Sequence, residues 1–483
     1  MNSNQYVDKR ILKQISERRY LKKLLNGLIL ILIIGSIYLI DQRPAVVSLE
    51  KAWLAVAIIW VSLYPSLQYL SDQNRPPMPF MPLVGLFYLT SFGLPIFAGE
   101  LKIVSRFSLG IVDSTSLTLV LLGLIGMNLS FYYSKSNVWK RTISLSLPAK
   151  YSLKTISTLL WIFLLLHLAN LYSPFINKIP SVSQILDPVG YISYGMFFIL
   201  WKRNQLSFSH VFFIISFCVP LEIIRRLGSG LLSEVMILGL FMTIVIIGET
   251  RRIPLLIISI VLGIYLVFNP VKNEFRRLTW TTVSLSPLER VSVFTDLVYK
   301  SYTTPKNSNT ESPNDSSGDR AIARSAHIVI FSAVVRDTPD RVPYWNGESY
   351  LPLLTSFIPR FIWADKPSEK TGNEFGRRYE YLDKIDNSTS FNLPWIVEMY
   401  ANFGVIGVIL GMSLVGVLLA FLEQKFNRSN MQPLEFVTGT TILFRLIYQE
   451  SNFSLMIGGI ILFSMSILSI YRIFLGNSQV YER

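Results

Sequence analysis

The stretch Leu24–Ile40, LLNGLILILIIGSIYLI, decides the fold class because no charged residue interrupts it over 17 positions. A helix of that length rises about 25 Å, close to the ~30 Å thickness of a bilayer's hydrocarbon core. The sequence DQRP at 41–44 follows, and it does not resemble the small-residue cleavage site of a secretory signal. We therefore expect a retained membrane helix.

Similar apolar runs recur along the 483 residues and predict an all-α polytopic membrane protein. Hydrophobic residues make up 51% of the chain and charged residues 16%, against about 25% in soluble domains. A soluble multidomain protein is excluded because this composition cannot supply its polar surface. Twelve transmembrane helices are predicted, at residues 24–40, 52–70, 79–98, 116–133, 155–172, 187–201, 209–224, 231–248, 253–269, 396–421, 432–449 and 455–474.

The net charge of +14 is concentrated in particular connections. Residues 1–23 carry seven Lys and Arg against two acids, and residues 134–154 carry five with no acid. Cytoplasmic loops of membrane proteins show this excess. We therefore predict that both termini are cytoplasmic, and the charge requires no nucleic-acid partner.

This topology divides the chain into residues 1–269, with the basic N-terminus and nine spans, residues 270–395, and residues 396–483, with three spans and the C-terminus. The middle part is predicted to be one large outer loop. Within it, residues 305–319 lack apolar anchors and indicate a flexible stretch. The sequence SPLE at 286–289 predicts a capping box that starts a helix towards Tyr302.

A second helix is predicted in this loop, from Asp319 to about Arg336. Arg320, Arg324 and His327 fall at i, i+4 and i+7, so they share one face of it. Two guanidinium groups and an imidazole there are suited to gripping a phosphate or pyrophosphate. A solvated basic stripe gives the same spacing, and both interpretations stay open.

Ionisable residues also cluster near the outer ends of the predicted spans. They are Glu222, Arg225, Arg226, Glu234, Glu398, Arg445 and Glu450. Charged groups in membrane segments are costly and usually face a bundle interior or a wet cavity. We expect one water-accessible cavity there. The alternative is local pairing at the helix ends, as between Glu222 and Arg226 at i and i+4.

Several absences narrow the chemistry. The chain has no G-x-x-x-x-G-K-[ST] phosphate loop, no pair of aspartates two apart and no H-E-x-x-H motif. Cys218 is its one cysteine, and it has three histidines. We therefore expect no metal and no cofactor, and a reaction on a lipid-carried substrate.

Two motifs carry a family resemblance. The sequence FIPRFIWADKP at 357–367 is followed by WIVEMYANFG at 395–404 and by Gly407. These motifs and the predicted organisation resemble bacterial O-antigen polymerases, the Wzy-type oligosaccharide repeat-unit polymerases. The resemblance implies a glycosyltransferase of polysaccharide and lipopolysaccharide biosynthesis, in the bacterial inner membrane with a periplasmic loop. It also implies an undecaprenyl pyrophosphate-linked oligosaccharide as substrate, and membrane lipid, a chain-length regulator and a flippase as partners.

The implied reaction transfers a growing glycan to an incoming lipid-linked unit, and it needs a pyrophosphate grip, a base and a sugar groove. The grip candidates are Arg225, Arg226, Arg320, Arg324, Arg360 and Lys366. The base candidates are His327, Glu398 and Glu222. The sugar-stacking candidates are Tyr344, Trp345, Trp363 and Tyr400, although interfacial belts use the same residue types.

Two alternatives remain. An O-antigen ligase or another lipid-phosphate glycosyltransferase shares the grip and the base but differs in its acceptor. A secondary transporter also matches twelve spans with both termini inside, and charges within its spans would mark an ion path.

Overall fold

The computed structural model of the chain describes residues 3–98, 109–139, 152–177, 179, 181–279, 285–303, 325–360, 362–363, 365–366, 369–387 and 389–475. These residues form helices and connecting turns without a β-strand, so the predicted all-helical class is confirmed for them. The longer helices are α1 (Ser3–Asp41), α2 (Leu49–Ser71), α3 (Phe80–Phe97), α4 (Ser114–Val138), α5 (Leu153–Tyr172), α6 (Val182–Lys202), α7 (Phe208–Phe213, continuing through a π-helical turn as Val219–Gly228), α8 (Leu232–Thr250), α9 (Leu255–Phe268), α10 (Lys272–Thr279), α11 (Pro287–Thr303), α12 (His327–Asp337), α13 (Thr371–Arg378), α14 (Trp395–Phe426), α15 (Pro433–Phe444) and α16 (Phe453–Leu475).

Eight helices within the described residues are long and apolar enough to cross a membrane. The pair α9 and α10, bent by 64°, makes a ninth if it forms one span. Each of the twelve predicted segments lies on a helix, but α6, α7 and α15 do not meet the same test. The prediction that the eleventh segment runs to residue 449 is wrong, because α15 ends at Phe444 and the chain then turns. Gln449 lies in that turn, where its Oε1 accepts a 2.6 Å hydrogen bond from the hydroxyl of Tyr88 on α3.

Helix α14 packs along α4, and glycine lets the two backbones approach closely. A Cβ atom at Gly416 would lie 2.2 Å from the carbonyl oxygen of Met127 and 2.1 Å from Oγ of Ser130. The Ser130 hydroxyl donates a 2.7 Å hydrogen bond to the carbonyl of Ser413 across the same contact. Small residues at such crossings are typical of helix pairs in membranes.

Polar contacts mark the two ends of the bundle. At one end, Lys135 of α4 pairs with Glu423 of α14 at 2.6 Å. At the other, which we call the loop end, Glu398 at the start of α14 accepts hydrogen bonds from Ser349 and from the backbone of Phe453 at the start of α16. The described part of the 325–395 segment contacts the bundle at this loop end.

Helix α12 differs from the expectation of a basic-faced helix on an outer loop. Its apolar sequence is buried against the bundle, and the Phe331 ring meets the Tyr400 ring edge to face at 5.8 Å. His327 is its first residue and is also buried, so of the two interpretations that the sequence leaves open, the solvated basic stripe does not hold for this residue. Arg320, Arg324 and the stretch 305–319 lie outside the described residues.

The first predicted helix of the segment is confirmed. Helix α11 begins at Pro287 behind a capping box, in which the backbone of Ser286 donates to Glu289 at 2.7 Å and the backbone of Glu289 donates to Ser286 Oγ at 3.3 Å. The local sequence was sufficient here because a capping box is formed by four consecutive residues.

Candidate functional site

A cavity of about 540 Å³ opens at the loop end between the bundle and the described residues of the 356–369 stretch. It is lined by Ser181, Gln184, Ser356, Arg360, Lys366, Glu369, Arg445, Tyr448, Ser451, Leu455, Met456 and Gly459. Three cationic side chains and one carboxylate stand among them. We call it the basic cavity.

The motif that follows Phe357 forms one wall of the basic cavity by folding back on itself. The backbone N–H of Arg360 donates to Oγ of Ser181 at 3.1 Å, and its Nη1 donates to the carbonyl of Lys366 at 2.5 Å. The Lys366 ammonium donates to the carbonyls of Ser356 and Ile358 at 3.1 and 3.2 Å. The turn thus brings two cations six residues apart to one wall.

The two titratable groups of this wall have shifted pKa values. Burial, and then the charge of Arg360, lowers the pKa of Lys366. Burial raises the pKa of Glu369, although Asn452 donates a 2.7 Å hydrogen bond to its carboxylate. Both shifts have the same first cause, the partial burial of this wall.

Arg445 forms the opposite wall, directly after the last turn of α15. Its Nη1 is buried and makes no hydrogen bond within the described residues. Gly459 of α16 lies next to it, since a Cβ at that position would be in ordinary van der Waals contact with Nη1, at 3.8 Å. A buried donor without a partner destabilises the fold by about 1–3 kcal/mol. An anion bound in the cavity would accept a hydrogen bond from this Nη1 and remove that cost.

A buried histidine lies behind the cavity wall. Nε2 of His327 is 3.4 Å from Oε1 of Glu450, and neither ring nitrogen makes a hydrogen bond with a described residue. The rings of Phe87 and Phe92 lie 6.0 and 6.4 Å from the imidazole. The side-chain amide of Asn392 donates a hydrogen bond to Oε1 of Glu450. Glu450 lies in the chain between Tyr448 and Ser451, which both line the cavity, so it stands next to the cavity wall and faces His327.

Glu222 and Arg226 belong to a separate buried cluster. Glu222 accepts 2.6 and 2.5 Å contacts from Arg226 through one oxygen, and Nε2 of His167 lies 2.9 Å from the other. Arg225 donates instead to the carbonyl of Leu171 at 2.8 Å. None of these residues lines the basic cavity. The pairing of Glu222 with Arg226 is the local i, i+4 pairing that was the alternative to a common cavity.

Glu398 is fully buried, and both of its oxygens have partners. Oε1 accepts from Ser349 at 2.7 Å and Oε2 from the backbone of Phe453 at 2.7 Å. Asn402 joins this network by donating to Ser349 at 2.8 Å. The carboxylate thus ties the 345–350 turn to the starts of α14 and α16, and it lies apart from the basic cavity.

The four predicted sugar-stacking aromatics do not converge. Trp345 is buried, and its backbone N–H donates to the carbonyl of Ala401 at 3.0 Å. Tyr400 is buried against Phe331. Tyr344 lines an apolar groove along α14, and Trp363 is exposed.

The structure therefore brings Arg360 and Lys366 together and adds Arg445, which the sequence marked only as an ionisable residue near a span end. For Glu450, too, the sequence predicted only a place among the ionisable residues near span ends, and for His167 it predicted no role. A histidine in the apolar run of α5 was the available signal for His167. Arg320 and Arg324 remain predictions, because they lie outside the described residues.

Fold and cavity together define an all-helical polytopic membrane protein with a basic cavity at one end of its bundle. The protein family described as a domain of unknown function, DUF8712, matches residues 141–482. The match covers more than two thirds of the chain, and the protein belongs to this family. No curated protein and no solved structure matches the chain.

Proposed function

We propose that the protein is a polymerase of lipid-linked oligosaccharide repeat units. It would transfer the growing glycan from undecaprenyl pyrophosphate to an incoming lipid-linked unit, at the periplasmic face of a bacterial inner membrane. The proposal includes twelve spans and two cytoplasmic termini. The observation that carries it is the basic cavity, which Arg360, Lys366 and Arg445 line together at the loop end of the bundle.

The cations suit the leaving group of this reaction. The acceptor hydroxyl attacks the anomeric carbon of the growing glycan, the bond from that carbon to the pyrophosphate oxygen breaks, and its electron pair leaves with the pyrophosphate. Negative charge grows on that oxygen in the transition state. Fixed guanidinium and ammonium groups stabilise it without a reorganisation of solvent.

The acceptor hydroxyl must also lose a proton. In this proposal the carboxylate of Glu450 takes it, and His327, 3.4 Å behind that carboxylate, stabilises the protonated pair. The burial of His327 favours this indirect role over direct contact with the sugar. Both carboxylate oxygens of Glu398 already accept hydrogen bonds, from Ser349 and from the backbone of Phe453, which favours a structural role in holding the 345–350 turn.

An extension assay tests the proposal. Membranes that contain the protein are given repeat unit linked to undecaprenyl pyrophosphate, with a chelator and without nucleotide sugar. We expect products that grow by whole repeat units. No extension in membranes with verified protein would contradict the proposal.

A deletion strain separates the alternatives. Surface glycan reduced to single-repeat caps supports the polymerase. Loss of all capping would indicate a ligase instead. Unchanged glycan together with lost uptake or efflux of a solute would indicate a transporter.

A further inference from the structure

A second polar cavity lies away from the basic cavity, on the described part of the 270–395 segment. It measures about 710 Å³ and is formed where α12 ends and where the chain turns after α13. None of the site residues proposed above lines it. Its lining combines guanidinium groups, carboxylates and tyrosine rings.

The cavity contains charges of both signs, three guanidinium groups (Arg336, Arg341 and Arg378) and two carboxylates (Asp337 and Glu380). Arg336 donates to both oxygens of Asp337, at 2.9 and 3.2 Å, and Arg341 donates to one of them at 3.4 Å. Arg341 also lies 4.0 Å from Glu380. Arg378 donates to the carbonyl of Pro343 at 2.7 Å, so each of the three guanidinium groups already has an acceptor, which disfavours an anion. A pair of neighbouring hydroxyl groups fits, because one can accept from a guanidinium while the other donates to a carboxylate.

Two tyrosines line the cavity, Tyr379 buried and Tyr381 half-buried. The rings of Tyr379 and Tyr381 lie 6.1 Å apart with 24° between their planes. Glu380, between them, has a φ angle of 58° and directly follows the C-cap of α13, a position where a left-handed residue commonly ends a helix. This turn places Tyr379, Glu380 and Tyr381 side by side along the cavity. A sugar ring has apolar C–H faces and a polar edge of hydroxyl groups. The tyrosine rings suit the first, and the guanidinium and carboxylate groups, as hydrogen-bond donors and acceptors, suit the second.

Helix α12 connects this cavity to the proposed proton-accepting pair. His327 is the first residue of the helix, and Asp337, which lines the cavity, is the last. At 1.5 Å per residue these two positions are about 15 Å apart along the helix. A sugar held at the cavity would therefore belong to the same glycan as the reacting sugar but lie a few units away from it.

We propose that this cavity is a saccharide subsite that binds a neutral, polyhydroxylated sugar ring of the glycan, a few units from the reacting end. The inference rests on the proposed function for the identity of the glycan. Its binding step needs neither lipid nor pyrophosphate. A grip at this distance would keep the growing chain on the protein between additions.

The test uses the full-length protein in nanodiscs. The probe is repeat-unit oligosaccharide released by mild acid from the host's own surface glycan, without lipid or phosphate. We expect binding by calorimetry, with the strongest saturation transfer in NMR on the ring protons of a neutral sugar. Absence of binding, or transfer confined to an acidic sugar, would overturn the subsite.

Paired variants locate the binding. Arg341→Gln with Glu380→Gln should weaken binding about tenfold, since two charged hydrogen-bonding groups are lost. The matched control is Asp296→Asn with Lys300→Gln, an ion pair on α11 with similar exposure, 56% and 64% against 65% and 64%. The control should bind as the parent does. Equal affinity in both double variants would overturn the location.

A single variant and an activity assay complete the test. If the double variant does not fold, Arg341→Gln alone changes one exposed side chain and should still weaken binding. Extension of repeat units is measured on the same proteins. Binding without extension in the parent would retain the subsite and reject the polymerase, whereas extension with unaltered binding in the Arg341 variants would reject the subsite alone.

Discussion

At the scale of single residues, Arg445 has the clearest unmet requirement. Its Nη1 is buried beside a cavity and has no hydrogen-bond partner within the described residues. Lysine has no planar fork and cannot reproduce a two-point contact with phosphate oxygens. The identity of this cation, and not only its charge, should therefore matter.

We expect Arg445→Ala to slow repeat-unit extension about ten- to a hundredfold, because a charge-assisted contact contributes about 1.5–3 kcal/mol to the transition state. The extension rate of Arg445→Lys should lie between the rates of Arg445→Ala and the parent. Extension rates are measured at equal protein level. Arg472→Ala, which changes an exposed arginine near the other end of the bundle, is the control and should keep the parental rate. A parental rate for Arg445→Ala would remove this residue from the site.

The proton-accepting pair makes a second residue-scale prediction. His327→Ala and Glu450→Gln should each slow extension about 10²–10⁴-fold, the range of general base catalysis. The double variant should be little slower than the worse single one, because the two groups act together. His210→Ala, at an exposed histidine, is the control. Independent, multiplying effects would contradict a coupled pair.

The basic cavity should bind anions more tightly as the pH falls. Burial raises the pKa of Glu369, so this carboxyl takes up a proton earlier than an exposed glutamate would, and the cavity loses a negative charge. The lowered pKa of Lys366 acts in the same direction, since its ammonium deprotonates earlier as the pH rises. Sulfate is the probe because its charge is constant between about pH 5 and 8. Its affinity is measured by calorimetry over that range.

Glu369→Gln is the matched variant for this titration. It should bind sulfate more tightly than the parent at the alkaline end and show a flatter pH dependence, because one of the two titrating groups is gone. The same slope in parent and variant would show that another group controls the cavity.

At the scale of elements, the sequence predicted where helices form but not which other elements they pack against. Apolar runs placed a helix at each of the twelve segments, and the capping box at Ser286 was visible in four consecutive residues. The end of α15 was missed because Leu446 and Ile447 continue the apolar pattern after the helix has stopped. Periodicity shows which residues share a face but not what that face meets.

The site illustrates the same limit. Arg360 and Lys366 lie in one motif, so a single turn brings them together. Arg445 joins them from 79 residues further along the chain, through packing of α15 and α16 that no local pattern encodes. The burial of His327 likewise depends on Phe87 and Phe92 of α3.

The close contact of α4 and α14 gives the element-scale prediction. Gly416→Val should lower the free energy of unfolding by about 1–3 kcal/mol, because its side chain would collide with the backbone of Met127. Gly263→Val is the matched control, since nothing lies within 4 Å of a Cβ at that helical position. Thermal unfolding in detergent measures both. Equal unfolding temperatures would show that the two helices can separate without cost.

At the scale of the whole molecule, the direction of the chain across the membrane decides which compartment the basic cavity faces. The charge of the connections predicts that residues 1–23 and 134–154 are cytoplasmic. Helices α6, α7 and α15 fail the length and composition test that eight helices of the described residues pass, and α9 passes it only together with α10. If all four cross, the loop end is periplasmic.

Reporter fusions that are active only outside the cytoplasm test this topology. We expect activity for a fusion at Asn314 and none at Lys150, as the positive-inside rule requires. Fusions at Gln205 and Ser229 decide α6 and α7: twelve spans require a silent reporter at Gln205 and an active one at Ser229. Fusions at Asn430 and Ser451 decide α15 in the same way, silent and then active. Equal signals within either pair would reduce the number of spans. An active reporter at Lys150 with a silent one at Asn314 would mean that the basic cavity faces the cytoplasm. The proposed lipid-linked glycan, which is at the periplasmic face, would then not reach it.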